Sequence, residues 1–303
     1  MNFVILDLEW NGAYSKKAKK FVNEIIEFGA VKTDEKLNII DTFSMLVTPQ
    51  IGKKLNSRVA ALTHITTEEL IDSNNTFTHV LSRFKKFLGD SVLLTWGTSD
   101  ILTLIENCKY YLGEEKLSFL TTYCNLQSYC EHQLDHHDKS KQMGLSTCAQ
   151  ALSISSDGLE LHRGYDDALF SLKCFQKLYD REKIREFIEV ANDEFYRKIT
   201  FKNTVIYDIK NPLIDKKEFY ICCDKCGKKA RRKTKWISKN RSFRAQFRCN
   251  KCKRDFEGRL TFRLKYDGVT VDRRVVEKVK PENEEKRKNF LEKFITNNSV
   301  EEK

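Results

Sequence analysis

Near its start the chain reads Phe3-Val4-Ile5-Leu6-Asp7-Leu8-Glu9-Trp10, in which four apolar residues lead into two carboxylates separated by one leucine. A short apolar run of this kind predicts a buried central strand. Residues two apart on a strand share a face, so we expect Asp7 and Glu9 side by side at its end. Two carboxylates that close repel each other unless a cation lies between them, and a divalent cation is the usual partner. The alternative is a strand that simply emerges into solvent.

The composition limits the class of protein. The 303 residues suffice for one large domain and a small one, or two medium ones, and a hydrophobic fraction of 40% supports a core. A net charge of +11 indicates an anionic partner, with nucleic acid the first candidate. No apolar run approaches the roughly 18 residues needed to cross a bilayer, and acidic residues interrupt any secretory pattern at the N-terminus. We therefore predict a cytoplasmic protein without a membrane partner, whose 10 cysteines are thiols or metal ligands.

The positive charge is concentrated in one part of the chain. Residues 216–280 hold 23 Lys and Arg against 7 Asp and Glu, whereas the remainder holds 31 basic and 36 acidic residues. This asymmetry predicts an acidic-to-neutral body that carries a basic module.

The first half of the chain alternates strand and helix patterns. Apolar segments at 23–31, 39–47 and 91–96 predict strands, and the helical spacing of apolar residues at 77–88 predicts a helix. The polar, basic segment 12–20 is interpreted as a loop. These patterns indicate an α/β domain.

Two later stretches carry further candidate site residues. Asp100 follows the apolar strand 91–96 and opens a helix, so it is either a helix N-cap or a second strand-terminal acid. The stretch from Leu161 to Ala168 reads LHRGYDDA, with His162 directly before a helix that begins with two acids. Histidine is well suited to take a proton from water near neutral pH, although a lone histidine here would be an ordinary capping or surface residue.

Taken together and in order, these residues resemble the DEDDh family of 3′–5′ exonucleases. The resemblance covers residues 1–182 and includes the segment Leu62-Thr63-His64-Ile65-Thr66. It implies a ribonuclease-H-like α/β fold, a mixed sheet flanked by helices. The matching catalytic residues are Asp7, Glu9, Asp100, His162 and Asp167.

The resemblance also implies a mechanism. Phosphodiester hydrolysis needs a nucleophilic water and a stabilised leaving oxygen, and two divalent ions about 3.5–4 Å apart can serve both. Carboxylate oxygens suit Mg²⁺ or Mn²⁺. By the resemblance, Asp7 would bridge the two ions, and Glu9 and Asp167 would complete the site that carries the nucleophilic water. Asp100 would support the second ion, and His162 would be the general base.

One of these residues has a competitor. In a regular helix the residue four along from His162 shares its face, and that residue is Asp166. The family spacing favours Asp167 instead, and Gly164 indicates that the histidine lies before the helix. A sister group of the family has tyrosine four residues before the last aspartate, where this chain has Arg163, so the histidine subtype fits better.

The basic module contains two Cys-x2-Cys pairs that resemble a zinc ribbon. Cys223 and Cys226 form one pair, Cys249 and Cys252 form the other, and the spacing predicts a tetrahedral four-cysteine Zn²⁺ site. Cys222 could in principle replace Cys223, but only Cys223 has the required spacing to Cys226. Basic residues there alternate with Trp236, Phe243 and Phe247, a composition that suits phosphate contact and base stacking, although some of these rings must fill the small core.

We therefore predict an exonuclease domain at 1–182, a helical connector at 183–215, a basic zinc ribbon at 216–270 and a charged tail at 271–303. The expected function is metal-dependent 3′–5′ hydrolysis of single-stranded nucleic acid, with RNA slightly favoured over DNA. Expected cofactors are two Mg²⁺ or Mn²⁺ ions at the active site and one structural Zn²⁺. The alternatives are a non-catalytic nucleic-acid-binding adaptor and a zinc-dependent regulator of transcription.

Overall fold

The computed structural model describes residues 1–52, 54–136 and 142–277. The chain divides into two compact units, one from Met1 to Thr200 and one from Phe201 onward. Each unit has a sheet and a hydrophobic core of its own.

The first unit is built on a six-stranded sheet. Its spatial order is β3-β2-β1-β4-β5-β6, with β1 in the interior between an antiparallel neighbour and a parallel one. The parallel pairing continues to β5, whereas β3 and β6 pair antiparallel at the two edges. The sheet is therefore mixed, as predicted. The strands are β1 (Phe3–Ser15), β2 (Lys20–Thr33), β3 (Ile39–Leu46), β4 (Val92–Thr95), β5 (Thr122–Asn125) and β6 (Ile188–Val190).

Helices cover both faces of this sheet, and alternate residues of β1 supply the two cores. Val4, Leu6 and Leu8 pack in the core that includes the helix at 77–88, whereas Phe3 and Ile5 pack in the core that includes the helix beginning at Gly164. The helices are α1 (Ser57–Thr63), α2 (Thr67–Asp72), α3 (Phe77–Leu88), α4 (Ser99–Leu112), α5 (Leu126–Gln133), α6 (Leu145–Ala151), α7 (Gly164–Leu178), α8 (Lys183–Phe187) and α9 (Asp193–Ile199).

Two local predictions are wrong. The segment 12–20 is mostly β-hairpin, because β1 continues to Ser15 and pairs with β2 from Lys20 onward, and only 16–19 form the turn. Buried Ser15 forms a hydrogen bond of 3.0 Å with the Tyr110 hydroxyl on α4, which fixes the end of this long hairpin. Asp100 is not an N-cap either, since α4 begins at Ser99 and its N-cap is Thr98.

The second unit is an antiparallel sheet with short additional strands. Three long strands lie side by side, β10 (Ser242–Cys249), β11 (Arg254–Lys265) and β12 (Gly268–Glu277). Short strands β7 (Thr204–Ile206), β8 (Arg231–Arg232) and β9 (Ile237–Lys239) pair with them, and a 3-10 turn covers Lys216–Glu218.

The aromatic residues of the basic module fill the core of this unit. Phe243 and Phe247 are each 1% exposed, and half-buried Trp236 packs its ring 5.4 Å from that of Phe247. Since β10 alternates apolar and polar residues, its aromatic side chains all point to one side of the sheet. Phe243 and Phe247 are therefore among the rings that fill the small core, and they are not available to stack on bases.

The segment predicted as a helical connector, 183–215, contributes to both units. Strand β6 pairs with β5, and Phe195 of α9 packs in a core of the first unit. Strand β7 pairs with β11 in the second unit. The predicted tail from 271 begins inside β12, and residues 278–303 lie outside the described part of the chain.

No helix among the residues that the structure describes is long and apolar enough to cross a membrane.

Candidate active site

Three carboxylates from two elements converge at one point of the first unit. Asp7 and Glu9 extend from β1, and Asp167 extends from the first turn of α7. One oxygen from each can be chosen so that all three lie within 4.8 Å of one another. All three side chains are half-buried, so the group is screened from bulk solvent but accessible.

Asp100 reaches the same strand from α4. Its Oδ1 accepts a hydrogen bond of 3.0 Å from the backbone N–H of Leu8, the residue between the two β1 carboxylates. The pairing of β1 with β4 ends at Leu6 and Thr95, so this N–H lies beyond its neighbouring strand. The buried Asp100 carboxylate replaces the missing strand partner and holds the end of β1 in place.

Burial and mutual repulsion raise the pKa of these carboxyl groups. Burial, followed by the charge of Asp167, raises the pKa of Glu9 to about 8. Burial raises the pKa of Asp100 to about 7. Burial also raises the pKa of Asp7 well above its ordinary range, and the charges of neighbouring carboxylates raise it further. Burial also raises the pKa of Asp167. A divalent cation would offset this cost, because it supplies the positive charge that the cluster lacks.

Two glycines allow α7 to approach the sheet closely enough to deliver Asp167. Gly29 on β2 is the register partner of Asp7, and a Cβ on Gly29 would lie 1.8 Å from the carbonyl carbon of Gly164. A Cβ on Gly164 would in turn lie 3.0 Å from the backbone oxygen of Asp7. Any larger residue at either position would push the beginning of the helix away from β1.

The beginning of α7 is also held by an ion pair that the sequence did not reveal. Glu27 on β2 is 1% exposed, and its carboxylate accepts hydrogen bonds of 3.0–3.3 Å from the Arg163 guanidinium. The same carboxylate accepts a bond of 3.1 Å from the backbone N–H of Gly164 at the first turn of the helix. An acid at a helix N-terminus is favourable, so Glu27 and Arg163 together fix where α7 starts.

His162 lies outside the carboxylate cluster, in a turn before α7. Its backbone has a φ of 68°, its side chain is exposed, and its N–H donates a bond of 3.0 Å to Oδ2 of Asp167. The turn therefore orients Asp167 toward the cluster. Asp166 is not part of the three-carboxylate group, which the structure forms with Asp167.

The four cysteines of the second unit form a separate cluster. The Sγ atoms of Cys223 and Cys252 are 3.9 Å apart, those of Cys226 and Cys249 are 3.6 Å apart, and all four lie within 4.8 Å. Two ligands at about 2.3 Å from a tetrahedral zinc ion lie roughly 3.8 Å apart, so this arrangement fits Zn²⁺. Cys222 is exposed and is not in the cluster.

Comparison with known proteins places the first unit in a family. The sequence profile of the exonuclease family (RNase_T) matches residues 4–175. The chain is 28% identical over 193 residues to a probable 3′-5′ exonuclease, KapD, of Bacillus subtilis, covering 60% of this chain and 86% of KapD. It is 26% identical over 211 residues to the PolC-type DNA polymerase III of Clostridium perfringens, covering 68% of this chain but only 13% of the polymerase.

A solved structure supports the same fold. It is the nuclease domain of 3′hExo, described as a DEDDh family member bound to rAMP, with a TM-score of 0.51 and 23% identity. The match covers 63% of this chain and 96% of that one. The chain belongs to the exonuclease family, and the predictions of that family, of its α/β fold and of an enzyme of this class are confirmed.

Proposed function

We propose that this exonuclease is a metal-dependent 3′–5′ enzyme that removes nucleotides from single-stranded nucleic acid. The observation that carries the proposal is the convergence of Asp7, Glu9 and Asp167, whose oxygens lie within 4.8 Å of one another. Their raised pKa values indicate that the group lacks positive charge, and hard oxygen ligands fit Mg²⁺ or Mn²⁺.

In this proposal Asp7, Glu9 and Asp167 would hold divalent ions, and Asp100 would support them from α4. Two such ions would supply a Lewis acid for the phosphate and charge stabilisation for the leaving oxygen. The chain contributes the geometry. The Gly29–Gly164 contact and the Glu27 carboxylate set the position of α7, and the bond from Leu8 to Asp100 sets the end of β1.

His162 is the proposed general base. Its exposed position beside Asp167 leaves the imidazole free to approach a water molecule held at the carboxylate cluster. A histidine is suited to this role because its ordinary pKa is near 6.5. Replacement by Gln, which keeps a similar size but cannot take up the proton, should slow hydrolysis by roughly 10²- to 10⁴-fold.

RNA is the proposed preferred substrate. The structural neighbour 3′hExo was solved with rAMP, whereas the PolC-type relative is a DNA polymerase. The basic second unit, with 23 Lys and Arg against 7 Asp and Glu at 216–280, offers a surface for either polymer. The zinc ion proposed for Cys223, Cys226, Cys249 and Cys252 would have a structural role, because a four-cysteine site leaves no open position for a reactant.

The deciding experiment uses matched single-stranded RNA and DNA, each labelled at the 5′ end. The protein is incubated with Mg²⁺ or Mn²⁺ beside the Asp7→Asn variant. We expect a ladder that shortens from the 3′ end, with RNA shortened faster, and no ladder from the variant. Tight binding without cleavage in either metal would refute the enzyme and favour a nucleic-acid-binding adaptor.

A further inference from the structure

Three arginines form one cross-strand row on the second unit. Arg244 on β10 is the register partner of Arg259 on β11, which is in turn the partner of Arg274 on β12. Paired residues of an antiparallel sheet point to the same side, and neighbouring strands lie about 4.8 Å apart. The row therefore carries three guanidinium groups across roughly 10 Å of sheet.

The row lies on the face that does not contribute to the core. On β10 the alternating partners Phe243, Ala245 and Phe247 are buried on the other side. Exposure increases along the row, from 16% for the Arg244 side chain to 35% for Arg259 and 68% for Arg274. The Arg259 and Arg274 guanidinium groups are therefore accessible without unfolding, whereas Arg244 is mostly buried at the inner end of the row.

The arrangement is unfavourable in the free protein. Like charges directly opposite each other destabilise a sheet, and two carboxylates contact the three arginines of the row. Glu257 contacts Arg259 at 2.6 Å and Arg244 at 3.8 Å, and Asp272 contacts Arg274 at 2.9 Å. The row thus keeps a net positive charge that a polyanion would neutralise.

A second like-charged pair extends the same face. Arg231 on β8 is the register partner of Arg248 on β10, and Asp255 contacts Arg248 at 3.0 Å. Arg248 lies four residues from Arg244 on the same strand, so the two basic groups of residues are roughly 14 Å apart. Two basic positions separated in this way suit an extended, regularly charged polymer better than a single small anion.

This face carries no aromatic residue along the described strands β10, β11 and β12, because Phe243, Phe247, Phe256 and Phe262 all point to the core. Contacts would therefore be made to phosphates rather than to bases. Guanidinium groups bind phosphate oxygens through paired hydrogen bonds.

We propose that the face built on the Arg244–Arg259–Arg274 row binds the phosphate backbone of the single strand on which the exonuclease acts. The inference rests on the proposed function for its ligand. Because the arginines would contact phosphates, the affinity of this face for the strand would depend on charge and not on base sequence. Phosphate contacts release counterions, so the salt dependence of binding reports how many are made.

The test measures binding separately from hydrolysis. Full-length Asp7→Asn protein, with its zinc retained, is titrated with a labelled oligouridylate at several salt concentrations. Replacing Arg244, Arg259 and Arg274 together by Gln should weaken binding roughly tenfold or more and reduce the slope of log K against log salt by about 2. Replacing the same three by Lys should preserve most of the slope, because the charge remains.

A matched control removes three arginines from exposed positions of the first unit, Arg83, Arg181 and Arg185. This triple Gln variant should bind with the wild-type slope. Zinc content and melting temperature establish that each variant is folded. If the triple Gln variant does not fold, the single Arg274→Gln variant, changed at the most exposed position of the row, replaces it in the test.

An unchanged slope in the folded Gln variant overturns the proposal. The proposal would also be overturned if the protein bound polyglutamate as tightly as oligouridylate and the triple Gln variant bound neither. That result would favour an acidic protein partner. Hydrolysis is scored independently with a trinucleotide and intact Asp7. If the protein with intact Asp7 cleaves nothing, but the triple Gln variant binds the oligonucleotide more weakly, the proposed function is refuted and the proposed binding by the arginine row is supported.

Discussion

The two units both place like charges side by side, but they do so in opposite environments. In the first unit Asp7, Glu9 and Asp167 converge at a half-buried point. Buried Asp100 accepts a hydrogen bond from the backbone N–H of Leu8, between the two carboxylates of β1. In the second unit Arg244, Arg259 and Arg274 form a row on a sheet face, with carboxylates beside them.

Burial explains why the two sets behave differently. Burial raises the pKa of the carboxyl groups, because the ionised forms are poorly hydrated, whereas Arg259 and Arg274 are accessible to solvent and contact Glu257 and Asp272. A buried cluster of one sign needs a compact, strongly charged ligand. An exposed row of one sign needs only a diffuse polyanion. The comparison therefore predicts a divalent cation in one unit and a polymer backbone on the other.

The largest effect should come from removing one carboxylate of the cluster. Asp7→Asn should lower the rate of nucleotide release by at least about 10³-fold, since it removes one of the three carboxylates proposed to hold the metal ions. Single-turnover hydrolysis of a 5′-labelled strand measures the loss. Asp166→Asn is the matched control, because Asp166 is adjacent in sequence but outside the cluster, and it should stay within about threefold of the wild type. A comparable loss in Asp166→Asn would contradict the placement of Asp166 outside the cluster.

The second effect concerns the ion pair that positions α7. Arg163→Met leaves Glu27, which is 1% exposed, without its guanidinium, so the free energy of unfolding should fall by about 3 kcal/mol. Displacement of Asp167 should also slow hydrolysis roughly 10- to 100-fold. Denaturant unfolding and single-turnover rates measure the two effects.

A control for that pair is Arg181→Met, which breaks the exposed ion pair with Glu35. Exposed pairs contribute little, so this change should cost less than about 1 kcal/mol. If Arg163→Met were equally mild, Glu27 and Arg163 would have no positioning role.

The third effect is a pH dependence of stability in the absence of divalent cations. Burial raises the folded-state pKa of Glu9 to about 8 and of Asp100 to about 7. The folded protein therefore holds these protons more tightly than the unfolded chain, and their contribution to the free energy of folding is fully present below the unfolded pKa. That contribution is lost as the pH rises through about 7 to 8. The melting temperature of the zinc-loaded, Mg²⁺-free protein should therefore fall over this range.

Saturating Mg²⁺ should reduce the fall, and Asp7→Asn should flatten it by a few degrees, since about 1 kcal/mol moves the midpoint of a domain this size by roughly 2–4 °C. A melting temperature that rises with pH over the same range in the Mg²⁺-free protein would contradict the raised pKa values.

The smallest effect should come from the centre of the arginine row. Arg259→Gln removes a partly exposed contact with Glu257 but relieves repulsion from both neighbours, and each contribution is below about 1 kcal/mol. We expect the free energy of unfolding of the free protein to change by less than about 0.5 kcal/mol, measured with denaturant. A loss of several kcal/mol would mean that the row is structural rather than a binding surface.

Local patterns singled out the three carboxylates that the structure brings together, because each lies next to a strongly apolar segment. The acids after the β1 run were visible in the sequence, and the glycine before Asp167 marked the beginning of α7, which the structure places at Gly164. The partnership of Glu27 with Arg163 joins residues 136 positions apart, and no local pattern reveals such a pair. The available signal in the sequence was an acidic residue, Glu27, inside the apolar strand 23–31, where a buried carboxylate needs a partner.

The aromatic residues of the second unit show a pattern that could have been interpreted correctly. Phe243, Ala245 and Phe247 alternate with polar residues, and a period of two places them on one face of a strand. This period assigns Phe243 and Phe247 to the core, a choice that the mixture of aromatic and basic residues alone leaves open. The cross-strand register that aligns Arg244, Arg259 and Arg274 depends on two hairpins and becomes visible only in the folded sheet.

Metal binding is the most direct test of whether Asp7, Glu9 and Asp167 form a cation site. Mn²⁺ is titrated calorimetrically into zinc-loaded wild-type and Asp7→Asn protein at neutral pH, in two buffers of different ionisation enthalpy. We predict saturable binding by the wild type with release of protons, because carboxyl groups with raised pKa must ionise to become ligands. The variant should bind far more weakly. Equal binding by both proteins, or binding without proton release, would contradict the account.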